Sequence, residues 1–186
     1  MAGDGTVTSA AVRTLVLGGA RSGKSVHAEQ LLPAGPVRYV ATARQHPGDA
    51  DWAARIAVHR ARRPGDWQTV ENTDLVALLG LPDDGAPVLI DDLGTWLTAE
   101  LDDAQAWEQA RGTLAPRCAA LVDVVAASTA RLVLVSPEVG LGVVPATPAG
   151  RLFRDELGAL NAALAAVCDE VLLVVAGIPL KLKGPL

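Results

Sequence analysis

The sequence has few aromatic residues, few cysteines and few histidines. Among its 186 residues are one Phe, one Tyr, four Trp, two Cys and three His. Cys118 and Cys168 stand in helical patterns without a metal-ligand spacing, so we expect buried thiols rather than metal ligands. Half of the residues are hydrophobic. The core must therefore be built from Leu, Val and Ala, which is typical of a buried parallel sheet covered by helices.

Long apolar runs and an excess of positive charge are also absent. No stretch approaches the roughly 20 apolar residues that span a bilayer, and the acidic, polar start Met1 to Thr6 does not resemble a signal peptide. We expect a cytoplasmic protein without membrane insertion, with residues 1–11 as a disordered lead and residues 12–186 as a single domain. The net charge of −5 argues against nucleic acid as a partner.

The basic residues that are present concentrate in one region. Between residues 21 and 63, eight Lys or Arg residues accompany three acidic ones. A basic pocket on an otherwise acidic body suits a small phosphorylated ligand.

The strongest motif lies at the start of this basic region, where an apolar strand pattern leads into Gly18-x-x-x-x-Gly23-Lys24-Ser25 and then into a helix. This is the P-loop in its required context. The glycines let backbone N–H groups turn toward phosphate oxygens, and the helix start favours the same anion. Lys24 would reach the β- and γ-phosphates and Ser25 would ligate Mg²⁺. The predicted phosphate site consists of Gly18, Gly19, Ala20, Arg21, Ser22, Gly23, Lys24 and Ser25.

A second motif is the apolar run Val88 to Ile90, which is followed directly by Asp91. This is the Walker B pattern, and we predict that Asp91 holds Mg²⁺ opposite Ser25. The alternative is an aspartate that only caps the next helix, and Asp92 is a less favoured substitute for the metal role. The strand Val37 to Ala41 ends at the same predicted edge of the sheet, so Ala41, Thr42 and Ala43 are candidates for the nucleotide pocket. Glu71 ends a short strand that begins at Trp67.

Strands and helices alternate along the whole chain, which favours one α/β layer structure with a largely parallel sheet. We predict helices over 24–32, 49–63, 74–81 and 151–167, and a largely helical stretch over 93–128 with breaks near 102–103 and at 116. We predict an added edge strand over residues 177–183. The Gly/Pro-rich loop from Pro137 to Pro148 is long, and long ordered loops in compact domains are usually functional.

The predicted helix 49–63 carries the histidine of greatest interest. Arg55, His59 and Arg62 follow one another at intervals of four and three residues and so share a helix face. Nearby cations would lower the pKa of His59 and keep a ring nitrogen free as a nucleophile. A solvated basic helix explains the same spacing, and the residues alone leave both interpretations open.

The chain as a whole resembles a known family, the bifunctional adenosylcobinamide kinase / adenosylcobinamide-phosphate guanylyltransferases of cobalamin biosynthesis. The resemblance extends from Leu15 to Lys183, and its later motifs make it specific. These are Tyr39-Val-Ala-Thr42, Arg55-Ile-x-x-His59 with Arg63-Pro64, Trp67-x-Thr-x-Glu71, Leu89-Ile-Asp91 with Trp96-Leu-Thr98, Glu138-Val-Gly-x-Gly-x-Val-Pro145, Arg151-x-Phe-Arg-Asp155 with Gly158 and Asn161, and Gly177-Ile-Pro-Leu-Lys181. The chain differs from many relatives at Val58, Ala99, Pro137 and Ala162.

The resemblance implies a three-layer, RecA-like P-loop fold, a homotrimer whose subunits meet at the active site, and two reactions. ATP or GTP phosphorylates the corrinoid adenosylcobinamide, and GMP from GTP is then transferred to that phosphate. The family carries GMP on the histidine that corresponds to His59. By the same matching the GTP site is lined by Ala41 to Ala43, Arg60, Ala61, Arg62, Arg63, Glu71 and Asp91. The rival hypotheses are a small-metabolite P-loop kinase without covalent nucleotide and a non-catalytic nucleotide-binding module.

Overall fold

A computed structural model describes residues 12–44, 57 and 63–185, and within them seven strands form one sheet. The order across the sheet is β3-β2-β4-β5-β1-β6-β7. All pairs are parallel except β6 with β7, which is antiparallel. The strands are β1 (Arg13–Gly18), β2 (Arg38–Ala41), β3 (Gln68–Glu71), β4 (Val88–Asp91), β5 (Leu132–Pro137), β6 (Glu170–Val175) and β7 (Ile178–Lys183).

Five helices lie in the described ranges: α1 (Lys24–Gln30), α2 (Leu75–Leu79), α3 (Leu93–Asp103), α4 (Ala115–Ala127) and α5 (Pro148–Val167). The predicted helix 49–63 falls almost entirely outside those ranges. The prediction of a break at Pro116 is wrong, because Pro116 lies in the first turn of α4, where its missing N–H is tolerated. The predicted break near 102–103 is confirmed, because α3 ends at Asp103 and residues 104–114 separate it from α4. Helix α5 begins three residues earlier than predicted.

The two faces of the sheet bury different residues, as the two-residue period of a strand requires. Leu15, Val88 and Ile90 pack on one face together with α2 to α5. Val16 and Leu89 pack on the other face with Ala28 of α1. Because the central strands β1, β4 and β5 are almost fully buried between helices on both faces, the expected three-layer α/β P-loop fold with a mostly parallel sheet is confirmed.

Two smaller expectations concern the cysteines and the membrane. Cys168 is buried, as expected, whereas Cys118 is only half-buried, and both are free thiols. Burial raises the pKa of each thiol to about 11, which keeps both protonated and unreactive at neutral pH. In the described ranges, no helix combines the length and the apolar character needed to cross a bilayer.

Candidate nucleotide site

Three of the predicted site residues stand in one row across neighbouring strands. Ala41 at the end of β2 is in register with Glu71 of β3 on one side and with Asp91 of β4 on the other. Since parallel strands all end at the same edge, this row lies at the carboxyl edge of the sheet, where α/β proteins bind ligands. Gly18 ends β1 at the same edge, in register with Pro137 of β5.

The P-loop backbone between Gly18 and Lys24 adopts the conformations that its glycines were expected to allow. Gly23 has φ +92° and Arg21, an unusual residue for this region, has φ +58°. Successive residues with right- and left-handed backbone form a concave array of N–H groups that binds anions. The loop is fixed from both sides, since the N–H of Glu138 donates to the Gly18 carbonyl at 3.1 Å and that of Gly177 donates to the Ser22 carbonyl at 2.8 Å.

Ser25 and Asp91 are brought together, as the sequence predicted. The Ser25 hydroxyl donates to Asp91 Oδ1 at 3.1 Å, although the two residues are far apart in the chain. The other carboxylate oxygen, Oδ2, accepts a hydrogen bond from the hydroxyl of Tyr39. Both carboxylate oxygens are therefore oriented by neighbours before any ligand binds.

Arg63 contacts this group of residues through Tyr39. Its guanidinium carbon lies 3.6 Å from the centre of the Tyr39 ring, a cation–π contact. Arg63 also donates to the Thr69 hydroxyl at 3.1 Å. Burial, together with the neighbouring Asp91 carboxylate, raises the pKa of Tyr39 well above its usual value, so the phenol stays protonated and remains a donor.

The helix-capping role that was the alternative for Asp91 belongs to Asp92. Asp92 Oδ1 accepts from the backbone N–H of Thr95 at 2.8 Å and so caps α3. Thr42, which follows β2, is joined to Asp92 by two hydrogen bonds. Its hydroxyl donates to the Asp92 carbonyl at 2.6 Å and accepts from the Asp92 N–H at 2.9 Å. Burial raises the pKa of Asp92, against the lowering effect of the Thr95 N–H.

Asp91, which ends β4, and Asp92, which follows it, thus make different contacts. Asp91 faces the P-loop serine and Asp92 holds the first turn of α3. Ser25 and Asp91 both offer oxygen atoms to a cation next to the P-loop. Throughout the described residues, no cluster of three or more His, Cys, Asp or Glu side chains could hold a metal by itself.

Several predicted site residues lie outside the described residues, namely His59, Arg60, Ala61 and Arg62. Of those that the structure describes, Thr42, Arg63 and Asp91 take part in the contacts above, and Ala43 follows Thr42 directly. Glu71 is exposed at the end of β3. The P-loop, the end of β2 and the end of β4 are therefore adjacent, as expected.

Sequence reasoning assigned no role to Tyr39 or Thr95, which hold Asp91 and Asp92. A signal for Tyr39 was present, because strand alternation places it on the same sheet face as Ala41. It is also the only tyrosine in the chain. Thr95 stands three residues after Asp92, which is the spacing of a helix N-cap with the residue it binds.

The long loop after β5 is anchored at its start by a buried polar pair. The Ser136 hydroxyl donates to Asn161 Oδ1 at 2.6 Å, and Asn161 Nδ2 donates to the Pro137 carbonyl at 3.1 Å. Beyond this anchor the loop carries three exposed apolar side chains, Leu141, Val143 and Val144.

Comparisons with known proteins agree with the resemblance stated above. A family model described as cobinamide kinase / cobinamide phosphate guanyltransferase matches residues 14–182. The chain is 42% identical over 179 residues to the bifunctional adenosylcobalamin biosynthesis protein CobP of Pseudomonas aeruginosa, covering 93% of this chain and 98% of that protein. It is 39% identical over 181 residues to the bifunctional adenosylcobalamin biosynthesis protein CobU of Salmonella typhimurium, covering 91% of this chain and 98% of that protein.

Proposed function

Because the chain belongs to the cobinamide kinase / cobinamide phosphate guanyltransferase family, we propose that both reactions use the site at the P-loop and the end of β4. As a member of this family it is a cobinamide kinase and a cobinamide-phosphate guanylyltransferase of adenosylcobalamin biosynthesis. In the first reaction ATP or GTP gives its γ-phosphate to the hydroxyl of adenosylcobinamide. In the second, GMP from GTP joins that phosphate and pyrophosphate leaves.

The observation that carries the proposal is the contact between Ser25 and Asp91 beside the P-loop. The P-loop N–H groups would bind the phosphate oxygens of the nucleotide, and Lys24 would neutralise charge on the β- and γ-phosphates. Ala41, Thr42 and Ala43 would line the same crevice. Phosphoryl and nucleotidyl transfer depend chiefly on positioning and charge neutralisation, which this arrangement supplies.

The same contact suits Mg²⁺. A serine hydroxyl and a carboxylate are hard oxygen ligands, and Mg²⁺ is commonly held by one or two protein oxygens together with substrate phosphates. We propose Ser25 and Asp91 as its protein ligands, with Tyr39 orienting Asp91. When bound, the cation would neutralise the phosphate charge that develops during transfer.

We propose His59 as the nucleophile of the guanylyl transfer. A ring nitrogen of His59 attacks the α-phosphorus of GTP, an N–P bond forms, and the bond to the bridging oxygen breaks as pyrophosphate leaves. A phosphate oxygen of adenosylcobinamide phosphate then attacks the same phosphorus and releases the imidazole. Support comes from the Arg55-Ile-x-x-His59 motif and from the contact of Arg63, which ends that basic stretch, with Tyr39 at the described site.

The test uses Mg²⁺ and GTP labelled at the α-phosphate, followed by denaturing separation of the protein. The wild type should retain acid-labile, alkali-stable label, and a His59→Ala variant should lose it while still binding GTP. A His46→Ala variant serves as the matched control and should keep the label. Wild-type protein that binds GTP and phosphorylates adenosylcobinamide without acquiring label would overturn the covalent step and leave a kinase.

We further propose one catalytic domain over residues 12–186, acting in the cytoplasm as a homotrimer. The strands from Arg13 to Lys183 form one sheet, which supports a single domain. Exposed apolar side chains on the loop after β5 and on β7 support association.

A further inference from the structure

The motif that begins at Glu138 has no chemical role in the site described so far. Glu138 follows β5, which lies between β1, the strand that leads into the P-loop, and β4, the strand that ends in Asp91. It stands one residue beyond the register partner of Gly18 and three residues beyond that of Asp91. Because these three strands are parallel and end at the same edge, Glu138 lies beside the P-loop at the carboxyl edge of the sheet.

Three neighbours fix the backbone at this position. The N–H of Glu138 donates to the Gly18 carbonyl at 3.1 Å, and the preceding carbonyl, that of Pro137, accepts from Asn161 Nδ2 at 3.1 Å. The start of α3 packs just as closely, since a Cβ on Gly94 would lie 2.6 Å from Pro137 Cγ. The P-loop, α5 and α3 thus hold the backbone of Glu138, as phosphoryl transfer requires of a group that acts in it.

The fold uses only part of the Glu138 carboxylate. The residue is half-buried, and its Oε1 accepts from the backbone N–H of Gly140 at 2.6 Å. No hydrogen bond or ion pair to Oε2 comes from the part of the chain that the structure describes. The contact with Gly140 orients the side chain, and Oε2 remains available to accept a proton from a bound substrate.

Other carboxylates at this edge of the sheet have different tasks. Both oxygens of Asp91 accept from neighbouring hydroxyls, and Asp91 is the proposed ligand of Mg²⁺. Asp92 caps α3 through Oδ1. Glu71 lies on the edge strand β3, which β2 and β4 separate from β5. Beside the P-loop, within the described ranges, Glu138 is the carboxylate that neither serves the proposed metal site nor caps a helix.

We propose that Glu138 is the general base of the kinase reaction. Its Oε2 accepts the proton of the adenosylcobinamide hydroxyl while the hydroxyl oxygen attacks the γ-phosphorus. A new O–P bond forms, the bond from the γ-phosphorus to the β–γ bridging oxygen breaks, and its electron pair leaves with the nucleoside diphosphate. The inference rests on the proposed function, since it requires the γ-phosphate to bind at this P-loop.

The first test is a Glu138→Gln variant. The amide oxygen of Gln can still accept from the Gly140 N–H, so the turn is kept, but the amide does not take up the proton. We expect kcat for phosphorylation of adenosylcobinamide by ATP to fall by about a hundredfold or more. GTP affinity, measured by calorimetric titration, should stay within twofold, and the covalent label from α-labelled GTP should be retained because its formation does not involve the acceptor hydroxyl.

The matched control for this variant is Glu156→Gln. Glu156 of α5 also accepts a glycine N–H, that of Gly112, at 2.5 Å, and its neighbours are the α3–α4 connection rather than the P-loop. Its kcat should equal that of the wild type. Glu138→Asp keeps a carboxylate on a shorter side chain and should be faster than Glu138→Gln.

A second pair of variants displaces the carboxylate without removing it. A Cβ on Gly140 would lie 2.8 Å from Glu138 Oε1, whereas a Cβ on Gly142 in the same loop would have no heavy atom within 4 Å among those compared. Gly140→Ala should therefore lower kcat about tenfold, the scale of a small misplacement of a catalytic group. It should remain folded, because only the end of a flexible side chain has to move. Gly142→Ala should keep the wild-type kcat.

The outcomes separate the base from the reaction that it serves. A kcat within threefold of the wild type in Glu138→Gln would overturn the proposal. Loss of kcat together with loss of GTP binding would also overturn it, since the glutamate would then be structural. Wild-type protein that binds GTP but phosphorylates no adenosylcobinamide would overturn the proposed kinase site itself, and the base with it.

Discussion

Gly18 and Gly19 are neighbours in the P-loop with different structural requirements. A Cβ on Gly18 would lie 2.4 Å from the Ser22 hydroxyl oxygen and 2.8 Å from the carbonyl oxygen of Val174 in β6. A Cβ on Gly19 would have no heavy atom within 4 Å among those compared. The first glycine is needed because the loop packs against the next strand, and the second has no such contact.

We therefore predict that Gly18→Ala destabilises the protein by about 1–3 kcal/mol, the usual cost of overpacking, and weakens GTP binding. The Val174 carbonyl is part of the β6 backbone and cannot move aside as a flexible side chain would. Urea unfolding and calorimetric GTP titration measure the two effects. Gly19→Ala is the control, and equal stability of the two variants would contradict the packing argument.

At the scale of secondary structure, α5 and β5 are joined by the pair Ser136 and Asn161. Ser136 is fully buried and Asn161 nearly so, and Asn161 connects both to the carbonyl of Pro137 at the start of the long loop. The pair thus fixes the end of β5 next to β1, at the point where Pro137 is in register with Gly18.

Asn161→Ala should cost about 1–3 kcal/mol of stability, because it leaves the Ser136 hydroxyl and the Pro137 carbonyl without their partner in a buried place. Ser136→Ala should cost less, and the double variant should cost less than the sum of the two single variants. Thermal and urea unfolding of the three variants complete the cycle. Strictly additive losses would show that the two side chains do not depend on each other.

The starts of β1 and β6 are joined by an ion pair whose strength depends on pH. Arg13 Nη2 lies 2.9 Å from Asp169 Oδ1, and the Arg13 N–H also donates to Asp169. Hydrogen bonds from Arg13 hold the pKa of Asp169 at about 2, below its ordinary value of 3.8. Because the folded-state pKa is the lower one, the pair stabilises the fold above about pH 4, and that contribution is lost as the pH falls from 4 to 2.

Asp169→Asn should lower the free energy of unfolding by about 1 kcal/mol at pH 7, a small value because solvent screens a side chain that is 40% exposed. The difference between wild type and variant should disappear near pH 2. Urea unfolding at both pH values measures it, with Asp123→Asn on the exposed side of α4 as the control. A difference that persists at pH 2 would contradict the assignment to the ionised carboxylate.

Local sequence patterns were sufficient to predict the elements that depend on residues close together in the chain. The P-loop, the acidic end of β4 and the alternation of strands and helices are all encoded within a few residues, and strand order then brings Ser25 to Asp91. The contacts of Tyr39 and Asn161 depend on which strands and helices become neighbours, and no single stretch of sequence contains that information. The start of α4 was also misplaced, because proline can begin a helix as readily as it can end one.

Among the described residues, most of the large apolar side chains that are exposed lie on two segments that both contact the P-loop. One is the loop after β5, with Leu141, Val143 and Val144, whose Glu138 N–H donates to the Gly18 carbonyl. The other is the β6–β7 hairpin, with Ile178, Leu180 and Leu182, whose Gly177 N–H donates to the Ser22 carbonyl. Contiguous exposed apolar surface commonly marks an interface, and this surface would bring neighbouring subunits next to the nucleotide site.

We therefore predict that Val143→Glu and Leu180→Glu dissociate the proposed homotrimer and lower guanylyl transfer at least tenfold, because an introduced charge would be buried in the interface. Light scattering should give about three times 19.2 kDa for the wild type and a single chain for the variants. Since both side chains are exposed in one chain, the monomers should stay folded by circular dichroism. Gln109→Glu, between α3 and α4, is the control and should remain trimeric and active. Variants that stay trimeric with full activity would place the interface elsewhere, and a monomeric, active wild type would show that one chain completes its own site.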